Sequence, residues 1–245
     1  MTKVTLITGG SRGIGAATAR LSTAEGHAVA INYRSDAMAA EKVRAEVESV
    51  GAKAMVVQAD TGVESDIMHM FEEVDWNLGT VTGLVNNAGI HGPRGRLDAL
   101  SAGDIDRVLE VNVRGCFLCA REAIKRMSTK HGGAGGSIVK LSSGSARLGN
   151  PNDGVLYAAS KGAVNSLTIG LSQEVAGEGI RINTVAPGLT ATDMPPPDKL
   201  ETQGPRIPIG RVAEASEIAE AIVWLLSDKA SYTAGANIRV GGGRI

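Results

Sequence analysis

The sequence predicts an α/β fold in which one parallel sheet is covered by helices on both faces. Short apolar runs, rich in β-branched residues, alternate with longer stretches of helical periodicity along the 245-residue chain. The runs are hydrophobic at nearly every position, which is typical of strands buried on both faces. The chain contains no Ser- and Pro-rich linker, repeat or low-complexity tract. We therefore predict a single domain over residues 1–245, built on a doubly wound sheet.

The periodicity assigns strands and helices in turn. The predicted strands are 4–8, 28–32, 54–58, 83–86, 137–141, 181–185 and 237–240. The predicted helices lie near 13–25, 36–50, 64–78, 101–130, 157–177 and 214–228. Residues 189–212 contain several prolines and no periodic pattern, and loops of this length in a compact domain usually serve a function. We therefore expect 189–212 to form a lid over a substrate pocket.

Composition limits the classes of function. Hydrophobic residues make up 43% of the chain and charged residues 21%, which is ordinary for a globule with a sizeable core. The net charge of −1 argues against a nucleic-acid surface or a polybasic membrane anchor. No apolar run approaches the ~20 residues of a membrane span, and the first residues are too polar for a secretory signal. A cytoplasmic protein without nucleic-acid or membrane partners is expected.

Cysteine and histidine spacing predicts no metal. Cys116 and Cys119 form a Cys-x-x-Cys pair, but they lie in an apolar stretch with no second pair of ligands. Buried structural thiols are therefore expected. The histidines are scattered without metal-ligand spacing and are predicted to be structural or exposed. They are His27, His69, His91 and His131.

Residues 4–15 are predicted to run from a strand through a glycine-rich turn into a helix. Gly9, Gly13 and Gly15 permit a tight turn and a close approach of the backbone to a pyrophosphate. The helix N-terminus then offers free amide groups and the positive end of the helix dipole to the phosphates. A glycine pattern alone is weak evidence, but its position in the first β-α unit strengthens it. We predict a dinucleotide site here.

The end of the second strand indicates which dinucleotide binds. A carboxylate there would accept a hydrogen bond from the ribose 2′-hydroxyl of NAD. The strand is instead followed by Arg34, which can meet a 2′-phosphate together with Arg12 of the glycine loop. Asp36 keeps NAD(H) open as an alternative, although Ser35-Asp36 fits a helix N-cap better. The sequence therefore favours NADP(H).

Tyr157 and Lys161 are the candidates for proton transfer. Their spacing places both side chains on one face of a helix. A phenol has a reference pKa of about 10, and a nearby cation should lower this pKa. The phenol can then exchange a proton with a carbonyl or alcohol oxygen near neutral pH. Such a pair is also common as a simple surface contact, so its role depends on the rest of the chain.

Further motifs follow in a fixed order along the chain. They are Asp60 after the third strand, Asn86-Asn-Ala-Gly89 after the fourth, Asn112 in the next helix, Leu141-Ser-Ser143 after the fifth strand and Pro187-Gly188 after the sixth. With the glycine loop and the Tyr157/Lys161 pair, they make the whole chain resemble the short-chain dehydrogenase/reductase family. The resemblance implies a Rossmann fold with strand order 3-2-1-4-5-6-7. It also implies an NAD(P)-dependent oxidoreductase that acts on CH–OH donors and interconverts a carbonyl and a secondary alcohol.

The resemblance also implies roles for individual residues. Tyr157 is the implied acid/base, Lys161 holds Tyr157 and the nicotinamide ribose, Ser143 donates to the substrate oxygen and Asn112 holds a water beside Lys161. Ser142 remains an alternative to Ser143. The implied cofactor contacts are Gly9, Ser11, Arg12, Gly13, Ile14, Gly15, Arg34, Asp60, Thr61, Asn87, Ala88, Gly89, Tyr157, Lys161, Pro187, Gly188, Thr190 and Thr192.

Each motif alone also has a structural explanation. Asn112 can be a polar kink in a helix, Ser142 and Ser143 can cap a strand, and Pro187-Gly188 can be a turn. A dinucleotide-binding sensor without turnover is the alternative from a different class. Such proteins typically lose the tyrosine and lysine that this chain keeps, and a lyase or epimerase generally shows a different loop spacing. An enzyme is therefore favoured.

The sequence leaves the substrate open between a sugar or polyol, a ketone and a 3-oxoacyl group on acyl carrier protein. Residues 144–156 are about one residue longer than the commonest spacing, which resembles a sugar-dehydrogenase-like subgroup and predicts part of the pocket wall. Glu178 stands where acyl-carrier reductases usually show a basic residue. Lys125, Arg126 and Lys130 keep that alternative open.

The resemblance further implies a homotetramer. The helix that carries Tyr157 continues with apolar residues on more than one face, as expected of a helix that also packs on a second subunit. Residues 237–245 resemble the second interface of the family.

Overall fold

The computed structural model describes residues 3–244, and within this range one sheet of seven parallel strands runs through the molecule. Its strand order is β3-β2-β1-β4-β5-β6-β7, so the predicted fold class and strand order are confirmed. The strands are β1 Val4–Ile7, β2 Ala28–Tyr33, β3 Ala54–Gln58, β4 Gly83–Asn86, β5 Gly136–Leu141, β6 Ile180–Pro187 and β7 Asn237–Val240.

Helices cover both faces of this sheet. They are α1 Gly13–Ala24, α2 Ala37–Ser49, α3 Glu64–Asn77, α4 Ala102–Leu109, α5 Gly115–Met127, α6 Ser145–Leu148, α7 Val155–Val175, α8 Pro197–Gln203 and α9 Ala215–Leu226. The prediction of one helix over 101–130 was wrong, because a single π-helical turn, Glu110–Arg114, separates α4 from α5. The short helix α6 had no counterpart in the prediction. None of the helices described is both long and apolar enough to cross a membrane.

Two apolar clusters, one on each face of the sheet, explain the continuous hydrophobicity of the strands. Successive side chains of a strand point to opposite faces. On β4, Leu84 belongs to one cluster and Val85 to the other, and on β5 Ile138 and Val139 divide in the same way. All four side chains are fully buried. Strands with two buried faces are the reason that the sequence shows apolar runs rather than alternation.

The strand order reverses at β1. Strands β2 and β3 are added on one side of β1, and β4 to β7 are added on the other side. Ligands of open α/β sheets bind at such a switch point, beside the carboxyl ends of the strands. The glycine loop follows β1 and the Asn86–Gly89 motif follows β4. The topology therefore brings the two motifs to the same edge of the sheet.

Residues 189–212 are less irregular than predicted. They contain α8, which begins at Pro197, a residue well suited to the first helical position. A parallel bridge joins Thr190 to Ala213, and the amide of Ala191 donates to the carbonyl of Ala213 at 2.8 Å. The start of the segment is thus hydrogen-bonded to the residue that follows its end.

The two cysteines, Cys116 and Cys119, are buried free thiols. Burial is the largest influence on both and raises the pKa of each thiol. Both are therefore in the neutral form at pH 7 and behave as small apolar residues. Over residues 3–244, no cluster of three His, Cys, Asp or Glu side chains is arranged to hold a metal ion.

Candidate active site

A cavity of about 550 Å³ opens at the carboxyl edge of the sheet. The predicted site residues line it except Gly15 and Asn112, which lie behind the wall. Those that line it are Gly9, Ser11, Arg12, Gly13, Ile14, Arg34, Asp60, Thr61, Asn87, Ala88, Gly89, Ser143, Tyr157, Lys161, Pro187, Gly188, Thr190 and Thr192. Residues 189–212 contribute Leu189, Thr192, Met194 and Lys199 to the wall of the cavity.

The glycine loop has the geometry that a pyrophosphate needs. Gly9 and Gly13 have φ values of +61° and +53°, which side chains disfavour. A Cβ atom on Gly15 would lie 2.4 Å from the carbonyl oxygen of Gly9, so only glycine permits this turn. Within the described chain, the N-cap residue Arg12 makes no side-chain capping bond, and the first turn of α1 holds no acidic residue. Its free amide groups therefore face the cavity as an anion site.

Side chains from the neighbouring strands hold the loop in place. Asn87 donates through Nδ2 to the carbonyl oxygens of Thr8 (2.8 Å) and Gly9 (2.9 Å). The hydroxyl of Thr8 accepts from the amides of Asn87 and Ala88 at 3.0 Å. Asn32 of β2 accepts from the Gly9 amide at 3.1 Å. Sequence reasoning missed Thr8 and Asn32, although each is a polar residue at the end of an apolar strand.

Asp60 is engaged by the protein itself. Its carboxylate accepts from the Gly62 amide at 2.8 Å and from Arg107 at 2.6 Å. Burial acts to raise the pKa of Asp60, but these two donors outweigh it and hold the pKa below its usual value. Arg107, which also lines the cavity, was not foreseen because it comes from α4, far along the chain.

Arg34 and Asp36, the two charged residues after β2, have different surroundings. Asp36 caps α2 by accepting from the Ala39 amide at 3.0 Å, so the expected N-cap is confirmed. Arg34 lines the cavity beside it. Arg12 also lines the cavity, and its guanidinium lies 3.6 Å from the carboxylate of Asp193 with both side chains exposed. This contact with residues 189–212 was not foreseen.

Helix α7 carries both members of the proton-transfer pair into the cavity. Lys161 Nζ lies 5.7 Å from the ring centre of Tyr157 and donates to the Leu141 carbonyl at 2.7 Å. Burial raises the pKa of Tyr157, and contact with the Ser143 hydroxyl lowers it. The expectation of a lowered phenol pKa was therefore wrong, because the loss of water around the buried phenol outweighs the hydrogen bond with Ser143. Burial also lowers the pKa of Lys161, to about 8.

The two candidate serines have different surroundings. Ser142 is buried, and its hydroxyl donates to the carbonyl of Lys161 at 3.1 Å, which ties β5 to α7. The Ser143 hydroxyl accepts from the Ser145 amide at 3.1 Å and contacts the phenol of Tyr157. Only Ser143 is therefore placed to share a ligand oxygen with Tyr157.

Asn112 lies in the π-helical turn and is buried. Its side chain accepts from the Ile90 amide and donates to the Ile90 carbonyl, both at 2.8 Å, and it donates to the Ser160 hydroxyl at 3.0 Å. A Cβ atom on Gly89 would lie 3.3 Å from both Asn112 Oδ1 and Lys161 Nζ. Glycine at this position thus leaves a small gap between the amide and the ammonium.

His91 is the main residue of the site that sequence reasoning missed. It lines the cavity, and its ring stacks on Tyr157 with the ring centres 5.0 Å apart. The interpretation of all four histidines as structural or exposed did not foresee this contact of His91 with Tyr157. Burial and the nearby charge of Arg94 lower the pKa of His91, so the ring is neutral at pH 7. Its place two residues after Gly89 was the only signal in the sequence.

Comparison with known proteins identifies the family. A family model described as enoyl-(acyl carrier protein) reductase matches residues 9–244. The protein named uncharacterized oxidoreductase YgfF of Escherichia coli K12 is 49% identical, with 98% of this chain and 99% of that protein covered. The 3-oxoacyl-[acyl-carrier-protein] reductase FabG of Staphylococcus aureus is 37% identical, with 99% and 98% covered. Glucose 1-dehydrogenase 2 of Bacillus subtilis is 34% identical, with 98% and 94% covered.

The crystal structure of a short chain dehydrogenase from Burkholderia cenocepacia J2315 in complex with NADP is similar throughout. Its TM-score is 0.91 at 37% sequence identity, with 99% of this chain and 97% of that chain covered. The chain therefore belongs to the short-chain dehydrogenase/reductase family, as the sequence motifs predicted. It is an oxidoreductase, and thus an enzyme, of a family that uses a nicotinamide dinucleotide.

Proposed function

We propose that the protein is an NADP(H)-dependent oxidoreductase that interconverts a carbonyl and a secondary alcohol, with Tyr157 as the acid/base. One observation carries the proposal. Tyr157, Ser143 and Lys161 meet in the same cavity that the glycine loop lines. The proposed proton donor, hydrogen-bond donor and dinucleotide cradle thus share one cavity.

The residues of the cavity fit a dinucleotide. The free amides at the start of α1 and the open glycine turn would hold the pyrophosphate. Thr192 packs beside this turn, since a Cβ atom on Gly13 would lie 3.1 Å from the methyl group of Thr192. Lys161 would bind the nicotinamide ribose. When bound, the nicotinamide supplies or accepts the hydride, and the protein contributes orientation and protons.

The surroundings of Arg34 support NADP(H) over NAD(H). Arg34 lines the cavity directly after β2. Asp36, the carboxylate that would bind a ribose 2′-hydroxyl, is already used to cap α2. A guanidinium binds a phosphate through paired charge-assisted hydrogen bonds. NAD(H) is the alternative that the same site permits with weaker binding.

Proton transfer is assigned to Tyr157 for a physical reason. Because burial raises its pKa, the phenol stays protonated at neutral pH and is ready to donate to the oxygen of a carbonyl under reduction. Ser143 donates a hydrogen bond to the same oxygen and stabilises its developing charge. The gap that Gly89 leaves between Asn112 Oδ1 and Lys161 Nζ suits a water that returns a proton towards Lys161.

Residues 189–212 are proposed to act as a substrate lid. Lys199 of α8 donates to Asp153 at 2.6 Å, and Asp193 faces Arg12 of the glycine loop. The segment is therefore held over the cavity at two points. We also retain the proposal of one domain over residues 1–245, since both apolar clusters pack on the same sheet. Residues 1, 2 and 245 lie outside the described range.

A 3-oxoacyl group on acyl carrier protein is the weaker alternative, because the basic residues that it needs are already paired. Lys130 lies 2.6 Å from Glu178. Lys125 lies 2.9 Å from Glu122, and Arg126 lies 2.6 Å from Asp75. No uncompensated patch remains among these three cations for an acidic carrier protein. A small-molecule carbonyl compound is therefore favoured.

A homotetramer is proposed from exposed apolar side chains on three helices. Phe117 of α5 and Ile169 of α7 are half exposed, and Trp224 of α9 is 40% exposed. Such side chains are typical of surfaces that pack on a partner. Of the second predicted interface, 237–245, the last residue lies outside the described range. The mass from light scattering tests this proposal, and a monomer mass would contradict it.

The experiment for the reaction is a substrate screen that follows NADPH and NADH absorbance against sugars, ketones and acetoacetyl thioesters. We expect carbonyl-dependent oxidation of NADPH, with NADH used less well. Tight NADPH binding without consumption by any carbonyl, and no NADP⁺ reduction by any alcohol, would instead favour the dinucleotide-binding sensor.

A further inference from the structure

Three charged side chains from distant parts of the chain meet on the cavity wall. Arg94 follows β4, Asp153 precedes α7 and Lys199 lies in α8. One carboxylate oxygen of Asp153 accepts from Arg94, and the other accepts from Lys199 at 2.6 Å. Arg94 also donates to the carbonyl of Met194 at 3.4 Å. All three charged side chains line the cavity. We call them the Arg94 cluster.

The charges of the Arg94 cluster do not balance. Two cations share one carboxylate, and their side chains are only 33% and 25% exposed. The other carboxylates on the cavity wall, within residues 3–244, are engaged elsewhere, since Asp36 caps α2, Asp60 binds Arg107 and Asp193 faces Arg12. A partly buried excess of positive charge is costly without a counter-ion. The wall is therefore complementary to an anion.

The Arg94 cluster lies close to the reacting centre. Gly154, which follows Asp153, lies against His91, since a Cβ atom on Gly154 would lie 2.7 Å from His91 Nε2. The ring of His91 stacks on Tyr157 with centres 5.0 Å apart. The segment that carries Asp153 thus packs against the imidazole that stacks on the phenol, and the cluster and Tyr157 line the same cavity. An anion bound there can belong to the molecule whose carbonyl meets Tyr157.

We propose that Arg94 and Lys199 bind an oxyanion of the substrate, so that the substrate is a carbonyl compound carrying a carboxylate or a phosphate. The inference rests on the proposed function, whose substrate class it names. Arg94 offers a planar fork of donors and Lys199 a point charge, a pair suited to either oxyanion. Asp153 orients both cations and moderates their charge. A cluster that only fastened residues 189–212 would show no preference for charged substrates.

Matched substrates test the charge preference. Acetoacetate is compared with ethyl acetoacetate, and dihydroxyacetone phosphate with dihydroxyacetone, by NADPH oxidation. We expect the charged member of at least one pair to have the higher kcat/KM, and the pair with the larger ratio identifies carboxylate or phosphate. In Arg94→Gln this ratio should fall roughly tenfold or more, mainly through KM. The control is Arg96→Gln, since Arg96 is exposed, pairs with Asp98 and does not line the cavity.

A second variant separates anion binding from simple fastening. Asp153→Asn removes the negative charge but keeps an oxygen for Arg94 or Lys199. Because the two cations then attract an anion more strongly, the KM for the charged substrate of each pair should fall in Asp153→Asn, whereas it should rise in Arg94→Gln. If the cluster only fastens the lid, both variants weaken charged and neutral substrates alike. That outcome, or equal turnover of both members by the wild type, would overturn the inference.

Binding is measured independently of turnover. With saturating NADP⁺, acetoacetate or dihydroxyacetone phosphate should raise the Tm of the wild type more than the neutral analogue does, and Arg94→Gln should lose this difference. If the charged probe raises Tm but no substrate reacts, the proposed function fails and the anion site stands. If charged and neutral probes shift Tm equally, the anion site fails, whatever the turnover.

Discussion

The imidazole of His91 lies almost flat against the phenol ring of Tyr157, with the ring planes 19° apart and their centres 5.0 Å apart. Gly154 makes this stack possible, because a Cβ atom there would lie 2.7 Å from His91 Cε1 and Nε2. Stacked rings at this separation attract each other by roughly 0.5–1.5 kcal/mol beyond the area that they bury. We therefore expect His91 to help fix the position of the Tyr157 phenol.

Removal of this stack is expected to lower the rate of reaction rather than cofactor binding. His91→Ala should reduce kcat several-fold with little change in the Kd for NADPH, since the phenol loses its support. His91→Phe restores a flat ring and should recover most of the loss. Steady-state kinetics with fluorescence titration of NADPH provides both values. An unchanged kcat in His91→Ala would show that the stack does not position Tyr157.

The second prediction concerns the choice of dinucleotide. Arg34→Asp replaces a phosphate-binding cation with a carboxylate that suits a ribose hydroxyl, so the Kd for NADPH should rise roughly tenfold or more relative to that for NADH. Lys53→Asp is a control with the same charge change at an exposed position away from the cavity. If both variants keep the wild-type preference, Arg34 does not contact the 2′-phosphate.

The third prediction tests the glycine cradle. Gly15→Ala places a methyl group 2.4 Å from the Gly9 carbonyl and 2.7 Å from Asn87 Nδ2, so the loop must shift. We expect NADPH binding to fall strongly in titrations. Gly103→Ala is the matched control in α4, where a new Cβ atom meets its nearest neighbour at 3.8 Å. The control should stabilise the protein by about 0.5–1 kcal/mol, and normal NADPH binding by Gly15→Ala would contradict the proposed cradle.

The fourth prediction follows from a buried lysine in β5. Lys140 is 0% exposed, and over residues 3–244 its Nζ has no hydrogen-bond partner. Burial lowers its pKa from 10.5 to about 8. This shift means that the folded protein disfavours the charged form of Lys140 by about 3 kcal/mol relative to the unfolded chain. Between these pH values the unfolded chain binds more protons than the folded chain, so stability rises with pH, and below about pH 8 the penalty is complete.

Lys140→Met should therefore raise Tm at pH 7 and remove the part of the rise in stability between pH 8 and 10.5 that Lys140 contributes. Lys161 contributes in the same direction, whereas the raised pKa values of Cys116, Cys119 and Tyr157 act in the opposite direction. Thermal unfolding across this range checks both statements, with Lys42→Met on the exposed side of α2 as the control. A lower Tm for Lys140→Met at pH 7 would contradict the unfavourable burial of the charge.

The strands were predictable because their signal is local. The apolar runs lie within about two residues of the strands observed, and Ser35-Asp36 was recognised as the start of α2. In the break of the predicted helix 101–130, Asn112 forms hydrogen bonds with Ile90, which lies 22 residues earlier. No local pattern carries that information.

In the site, too, local motifs were predictable from the sequence and contacts between distant segments were not. The glycine loop, Tyr157 and Lys161 were found by spacing, because each motif lies within one strand–helix unit. The Arg94 cluster joins three segments that only the fold brings together. The predicted direction of the Tyr157 pKa shift was wrong for the same reason, because burial depends on the whole structure and outweighs the hydrogen bond with Ser143.

The most direct test of the proposed reaction is Tyr157→Phe, assayed for NADPH oxidation with the best substrate of the screen and for NADPH binding by titration. Tyr232→Phe serves as the control, since Tyr232 is fully exposed. We predict a fall in kcat of about 10²–10⁴-fold, a Kd for NADPH within a few-fold of wild type, and no change in the control. Near wild-type turnover in Tyr157→Phe would contradict the assignment of Tyr157 as the acid/base.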